Sequence, residues 1–292
     1  MRPQGPRAWA NRITMVLDQV LGNDRYPVNV PEVAMEISKQ FEVEDRIVRV
    51  EGAHLPEFDG ALVRIPRKGW GILYNTSIAS PGRVNYTLGH ELGHYLVHRA
   101  RYPQGLRCSS EDFASGSGVE RIVEREADQF AADLLMPYPD LRKHLPPTSI
   151  PDMDVLSALA QRYRVSLLAL IYRWLSYTER RALLVISRDG FIWRSRSSEA
   201  ALRSSAFFRA AAETIELPAA SLAARQDLVL DNRAGVLHPP GVWFQEEAKE
   251  MAIFSEQYEM TISLLLLGDA PERQWNSDDE DPVAIPVDRW TR

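Results

Sequence analysis

Cysteine is nearly absent from this sequence, whose 292 residues include only Cys108. A single cysteine excludes an intrachain disulfide and is typical of proteins in a reducing compartment. Residues 1–6 lead into an amphipathic segment and lack the apolar stretch and small-residue cleavage site of a secretory signal. We therefore expect a cytoplasmic protein.

Long apolar runs are absent as well. No stretch approaches the roughly eighteen apolar residues that a membrane-spanning helix needs, so no membrane partner is expected. An excess of basic charge is also lacking, because the formal net charge is −6. Contacts to nucleic-acid phosphates rely on lysine and arginine, so the chain as a whole is not expected to bind nucleic acid directly.

Internal repeats and sustained low-complexity segments are missing too, which excludes solenoids and fibrous proteins. The remaining composition, with 45% hydrophobic and 25% charged residues, is that of a globular enzyme. The chain is long enough for more than one hydrophobic core.

Histidine is rare, with six residues, yet two of them stand in the run His90-Glu91-Leu92-Gly93-His94. On a helix, residues four apart share a face, so both imidazoles can approach one metal ion. Neutral imidazole binds Zn²⁺, and a glutamate held off the metal can accept a proton from water that attacks a carbonyl. The run predicts a zinc-peptidase site with His90 and His94 as ligands and Glu91 as general base. The alternative is a helix that carries two surface histidines.

The predicted site requires that the run from His90 to His94 lie on a helix. Apolar residues at helical spacing predict a helix from about Tyr86 to Arg99, capped by Asn85 or Thr87. Gly93 inside it costs up to about 1 kcal/mol relative to alanine, which indicates either close packing or a tolerated glycine.

A second predicted helix runs from Val119 to Met136 and is ended by Pro137. Glu124 and Asp128 lie four residues apart beside its apolar face. Glu124 could complete a His-His-Glu zinc site, and Asp128 could accept the spare N–H of a ligand histidine. The alternative, a solvated acidic edge, is equally compatible with the spacing.

Four stretches of the chain carry a family resemblance. They are Phe58-Asp59-Gly60-Ala61-Leu62, Ile72-Leu73-Tyr74-Asn75-Thr76, the residues from Pro81 through His94, and the residues from Glu124 through Pro137. Together they resemble the ImmA/IrrE-type zinc metallopeptidases over roughly residues 28–175. The resemblance places the third zinc ligand on Glu124. This sequence departs from the family at Asp128, where many relatives carry asparagine.

The resemblance implies a zincin-like endopeptidase with one Zn²⁺ per chain. It further implies cleavage of a helix-turn-helix transcriptional repressor, which would derepress stress or mobile-element genes. The competing hypothesis is a non-catalytic zinc protein that sequesters a regulator. A structural zinc normally has four protein ligands and no poised glutamate, so Glu91 favours the enzyme.

The donor that would help to stabilise the oxyanion is not identified by the sequence. Tyr86, Tyr95 and His98 are weak candidates. His98 follows His94 by four residues but lacks the spacing of a three-histidine metzincin site, so we interpret it as structural.

The predicted fold class is α+β. A small sheet of the strands Arg46–Glu51, Ala61–Ile65 and Gly71–Asn75 would lie beside the active-site helix. The third strand directly precedes the motif, so a free edge of it could pair with an extended substrate. The alternative is that a neighbouring loop covers this edge.

Four segments are predicted along the chain: a zinc metallopeptidase domain over 1–150, a helix-turn-helix-like pair over 151–178, a second α+β domain over 181–267 and an acidic tail over 268–292. The second helix of the pair is mostly apolar, which favours packing over DNA reading. The 181–267 domain has no recognisable acid, base or metal cluster and is therefore a candidate regulatory domain. It should contain a long hairpin of Gly241–Phe254 and Glu259–Leu267.

Overall fold

The computed structural model describes residues 5–108, 118–225 and 232–269. The chain forms two compact units, one of Met1–Leu141 with Ala158–Leu170 and one of Arg142–Ser157 with Ile171–Arg292. Helices and sheets occur side by side in an α+β fold, which confirms the predicted fold class. In the described ranges, no helix has both the length and the apolar character needed to cross a membrane.

The elements before residue 176 follow in a simple order. The strands are β1 (Ile47–Ala53), β2 (Gly60–Ile65), β3 (Gly69–Asn75) and β4 (Gly105–Cys108). The helices are α1 (Pro6–Leu21), α2 (Val30–Ser38), α3 (Pro81–Gly93), α4 (Gly118–Leu135), α5 (Tyr138–His144), α6 (Met153–Tyr163) and α7 (Leu167–Leu175). A π-helical turn, His94–His98, continues α3.

The first sheet has the order β1-β3-β2-β4, with β1 parallel to β3 and the other pairs antiparallel. Leu73 of β3 pairs with Glu51 on one side and with Ala61 on the other. The predicted free edge on the third strand is therefore wrong. The physical reason is that β3 is buried along most of its length, whereas β1 is largely exposed, so the apolar strand takes the central position.

Helix α3 begins earlier than predicted. Ser80 is its N-cap, with a side chain that accepts a hydrogen bond from the backbone N–H of Arg83 (3.3 Å), and Pro81 opens the first turn. The predicted cap at Asn85 or Thr87 is wrong. The Asn85 amide instead donates to the carbonyl of Arg164 (3.1 Å), the residue that turns the chain between α6 and α7.

Helices α3 and α4 approach closely at two glycines one turn apart. A Cβ atom on Gly93 would lie 3.1 Å from the ring of Phe130 and 3.2 Å from the backbone of Ala127. A Cβ atom on Gly89 would lie 3.3 Å from Cβ of Ala131. The close packing indicated by Gly93 is confirmed, and it brings the acidic face of α4 against the histidines of α3.

The second unit is built on a five-stranded antiparallel sheet in the order β6-β5-β9-β8-β7. Its strands are β5 (Ala182–Arg188), β6 (Phe191–Ser197), β7 (Asn232–His238), β8 (Ala248–Ser255) and β9 (Met260–Leu267), and α8 (Glu199–Arg203) follows β6. The predicted hairpin is present as β8 and β9. Its first strand begins at Ala248 instead of Gly241, because Gly241 has a φ of 93° and its backbone N–H donates to the carbonyl of Phe244 (2.6 Å), which forms a turn.

Candidate metal centre

Three side chains from two helices converge in the first unit. His90 and His94 lie one turn apart where α3 passes into its π-helical turn, and Glu124 faces them from α4. All three are buried. One ligand atom of each lies within 4.8 Å of the other two, which makes this group able to hold a metal ion.

These atoms are close enough together to contact one metal ion. His90 Nε2 lies 2.9 Å from His94 Nε2 and 3.1 Å from Glu124 Oε2, and His94 Nε2 lies 3.4 Å from Glu124 Oε1. Two ligand atoms that are each about 2.1 Å from a tetrahedral zinc ion are roughly 3.4 Å apart. Within the described residues the group has three members, so the fourth position of a tetrahedron is available to water or substrate.

Asp128 lies one helical turn after Glu124 on α4. Its Oδ1 is 3.0 Å from Nδ1 of His90. Because a carboxylate only accepts, the contact with Asp128 favours the tautomer of His90 that carries its hydrogen on Nδ1. Asp128 therefore contacts a candidate ligand histidine.

Glu91 is fully buried on α3, beside the two histidines. Its carboxylate packs against the first residue of β2, because a Cβ atom on Gly60 would lie only 2.8 Å from Oε1 of Glu91. The absence of a side chain on Gly60 therefore leaves the volume that Glu91 occupies. Sequence reasoning noted Gly60 within a family motif and did not assign it this role.

Burial and mutual contact set the charge states of the group. The pKa of His94 is lowered to about 4, chiefly by desolvation and next by the neighbouring His90, against the opposing effect of Glu124. Burial raises the pKa of Glu124, but its close contacts with His90 and His94 outweigh burial and hold this pKa well below its usual range. Neutral imidazoles and an ionised carboxylate are the forms that bind a divalent ion.

A family model matches this region of the chain. Residues 43–175 match the model of the IrrE N-terminal-like domain, which is a peptidase family. The match extends from just before β1 to the end of α7 and includes His90, Glu91, His94 and Glu124. No curated protein matches the chain.

Two residues of the matched region, His98 and Glu126, lie behind His94. Nδ1 of His98 is 3.0 Å from Nδ1 of His94, and Nε2 of His98 is 2.9 Å from Oε2 of Glu126. His98 contacts a candidate ligand instead of a remote part of the core. The four-residue spacing from His94 is the sequence signal that could have indicated this contact.

The two tyrosines considered as oxyanion donors lie in different surroundings. The Tyr95 hydroxyl donates to the carbonyl of Asp45 (2.6 Å), and its ring packs edge-on against Phe41 and Trp70. Burial raises the pKa of Tyr95 above its usual range. The Tyr86 hydroxyl donates to the backbone carbonyl of Asp128 (3.3 Å), the residue whose side chain contacts His90.

Proposed function

We propose that this protein is a zinc-dependent endopeptidase that binds one zinc ion per chain through His90, His94 and Glu124. The observation that carries the proposal is the convergence of these three buried ligands beside Glu91, at His-Glu-x-x-His spacing, inside a peptidase-family domain. Two histidines and a glutamate are a ligand set of catalytic zinc.

The residues of the site have separate tasks in peptide hydrolysis. A bound zinc ion supplies Lewis acidity toward water and the scissile carbonyl. Glu91 accepts a proton from the attacking water and delivers it to the leaving amine, so that the water oxygen adds to the carbonyl carbon while the C–N bond breaks. Asp128 orients His90 by accepting its Nδ1 hydrogen. The burial of Glu91 shields its carboxylate from bulk solvent.

The edge of the sheet nearest to Glu91 is the proposed binding surface for an extended substrate. Gly60, which touches Glu91, pairs with Cys108 of β4. Among the described strands, β4 pairs on one side only, with β2. A peptide could add to the free edge of β4 as a further strand, which is the binding mode called β-augmentation. Only β4 would then lie between this peptide and the strand that contains Gly60.

We propose a helix-turn-helix transcriptional repressor as the substrate, with derepression of stress or mobile-element genes as the outcome. The support is the resemblance to ImmA/IrrE-type metallopeptidases together with the matched IrrE N-terminal-like domain. A cytoplasmic location accords with the single cysteine of the chain.

The test compares the wild-type chain with Glu91→Gln on a purified repressor encoded beside it. The amide keeps the size of the side chain but cannot accept the proton, so cleavage should fall about 100- to 10,000-fold while zinc content is unchanged. Glu120→Gln is the matched control, since it removes the same charge from the outer end of α4. Mass spectrometry of the repressor detects the products.

The same experiment distinguishes cleavage of the repressor from its sequestration without cleavage. If Glu91→Gln and the wild type release repressed genes equally without any cleavage, the protein acts by binding its regulator and the peptidase proposal fails. Wild-type cleavage that depends on zinc and is lost in Glu91→Gln supports the proposal.

A further inference from the structure

The two candidate histidine ligands differ in what their second nitrogen contacts. Nδ1 of His90 lies 3.0 Å from a carboxylate, that of Asp128. Nδ1 of His94 lies 3.0 Å from another imidazole nitrogen, Nδ1 of His98. Two neutral imidazoles in such a contact share one hydrogen, so one nitrogen donates and the other accepts.

The position of that shared hydrogen decides whether His94 can bind a metal. If Nδ1 of His94 carries it, Nε2 has a lone pair directed toward His90 and Glu124. If Nδ1 of His98 carries it, the single hydrogen of His94 must be on Nε2 and occupies the direction in which a metal would bind. The hydrogen bond by itself is compatible with both arrangements.

Glu126 selects between the two arrangements. Its Oε2 lies 2.9 Å from Nε2 of His98, and an ionised carboxylate accepts hydrogen bonds without donating any. The single hydrogen of neutral His98 is therefore on Nε2, which leaves Nδ1 as the acceptor for His94. The side chains of His94 and His98 have no exposed surface, so water has no access to replace either partner.

We infer that Glu126, acting through His98, fixes His94 in the tautomer whose Nε2 binds the metal. Asp128 achieves the same result for His90 by direct contact. Glu126 and His98 are positioning residues, because they touch a ligand and not the reacting atoms. The inference rests on the zinc centre of the proposed function, but it does not depend on the substrate.

The tautomer can be read in the metal-free full-length chain by nitrogen NMR of ¹⁵N-labelled histidine. We expect His94 to be protonated at Nδ1 in the wild type. In Glu126→Gln the amide can either donate or accept, so His94 should populate both tautomers. Glu120→Gln, on the same helix, should leave the wild-type spectrum unchanged. Protonation of His94 at Nε2 in the wild type, or an unaltered His94 signal in Glu126→Gln, would overturn the inference.

Zinc affinity, measured by competition with a chelator, provides the second readout. His98→Leu removes the acceptor for His94 and should weaken zinc binding about 10- to 100-fold, and Glu126→Gln should weaken it by about tenfold. His98→Asn places a carbonyl oxygen near the position of Nδ1 and should recover most of the affinity. Equal affinities of His98→Leu and the wild type, or equally weak binding by His98→Asn and His98→Leu, would contradict the positioning role.

The two experiments also separate this inference from the proposed function. If His98→Leu does not fold, Glu126→Gln and the NMR measurement still decide the inference. A wild-type chain that binds no zinc would remove the proposed function, whereas zinc binding with no change in any of the variants would remove only the role of Glu126 and His98.

Discussion

A methyl group on Gly60 would lie 2.8 Å from Oε1 of Glu91 and 2.6 Å from Cγ2 of Thr87. Gly60 is the first residue of β2, whereas Glu91 and Thr87 both lie on α3. The strand and the active-site helix therefore meet at the proposed general base. The first residue of β2 sets how much room the carboxylate of Glu91 has.

We predict that Gly60→Ala displaces Glu91 and lowers peptidase activity about 100-fold, because a misplacement of about 1 Å costs a factor of this size. Zinc content should not change, since the three atoms nearest to the added methyl group belong to Thr87 and Glu91 and not to a candidate ligand. Steady-state cleavage and metal analysis measure the two effects.

Gly52→Ala is the matched control for this prediction. Its added methyl group would also lie 2.6 Å from a threonine Cγ2, that of Thr76, but on β1, where the other nearest atoms belong to Tyr74. Full activity in Gly60→Ala, or an equal loss in Gly52→Ala, would contradict the role of Gly60.

Local periodicity explains which parts of the site were predictable. His90, Glu91 and His94 lie within one and a half turns of one helix, so their spacing in the sequence fixes their geometry. Glu124 needed the family resemblance as well, because its position depends on how closely α4 packs at Gly93.

The features of the fold and the site that were not predicted depend mainly on tertiary contacts. The central position of β3 follows from a parallel pairing with β1 that no local pattern specifies. The N-cap at Ser80 was missed because Pro81 and Gly82 are typical of a loop. Strand β7 was not predicted because its residues show no regular alternation of buried and exposed positions. The contact between His98 and Glu126 joins two helices and has no signature in either one.

We predict that the metal-free protein loses stability as the pH falls from about 6.5 to about 4. His94 has its pKa lowered from 6.5 to about 4, chiefly by burial. Between these values the unfolded chain binds a proton that the folded chain excludes, so folding becomes less favourable. The full effect is at most about 3 kcal/mol.

Denaturant unfolding in the presence of a chelator, at a series of pH values, measures this dependence. His94→Gln should flatten it. His54→Gln, which changes an exposed histidine, should leave it as in the wild type. Stability of the metal-free wild type that stays constant between pH 6.5 and 4 would be incompatible with a neutral, buried His94.

We predict that the metal centre forms even when the second unit is destabilised. The buried carboxylate of Glu250 accepts hydrogen bonds from the backbone of Leu222 and Ala223 and from the side chains of His238, Trp243 and Ser263. Glu250→Ala would leave these donors buried without an acceptor. We expect a loss of about 3 to 5 kcal/mol in the stability of this unit.

Zinc content should survive in Glu250→Ala, because every candidate ligand belongs to the first unit. Denaturant unfolding followed by tryptophan fluorescence, with metal analysis of the same sample, provides the measurement. Glu256→Ala, at an exposed glutamate of the same unit, is the control. Loss of zinc in Glu250→Ala would mean that the second unit is required to form the metal centre.

Zinc stoichiometry of the purified full-length chain is the most direct measurement of the central claim. We predict one zinc ion per chain in the wild type and in Glu120→Ala, and none in His90→Ala, His94→Ala or Glu124→Ala, because each of the last three removes a ligand. A wild-type chain without zinc, or a Glu124→Ala variant that retains a full zinc ion, would contradict the account.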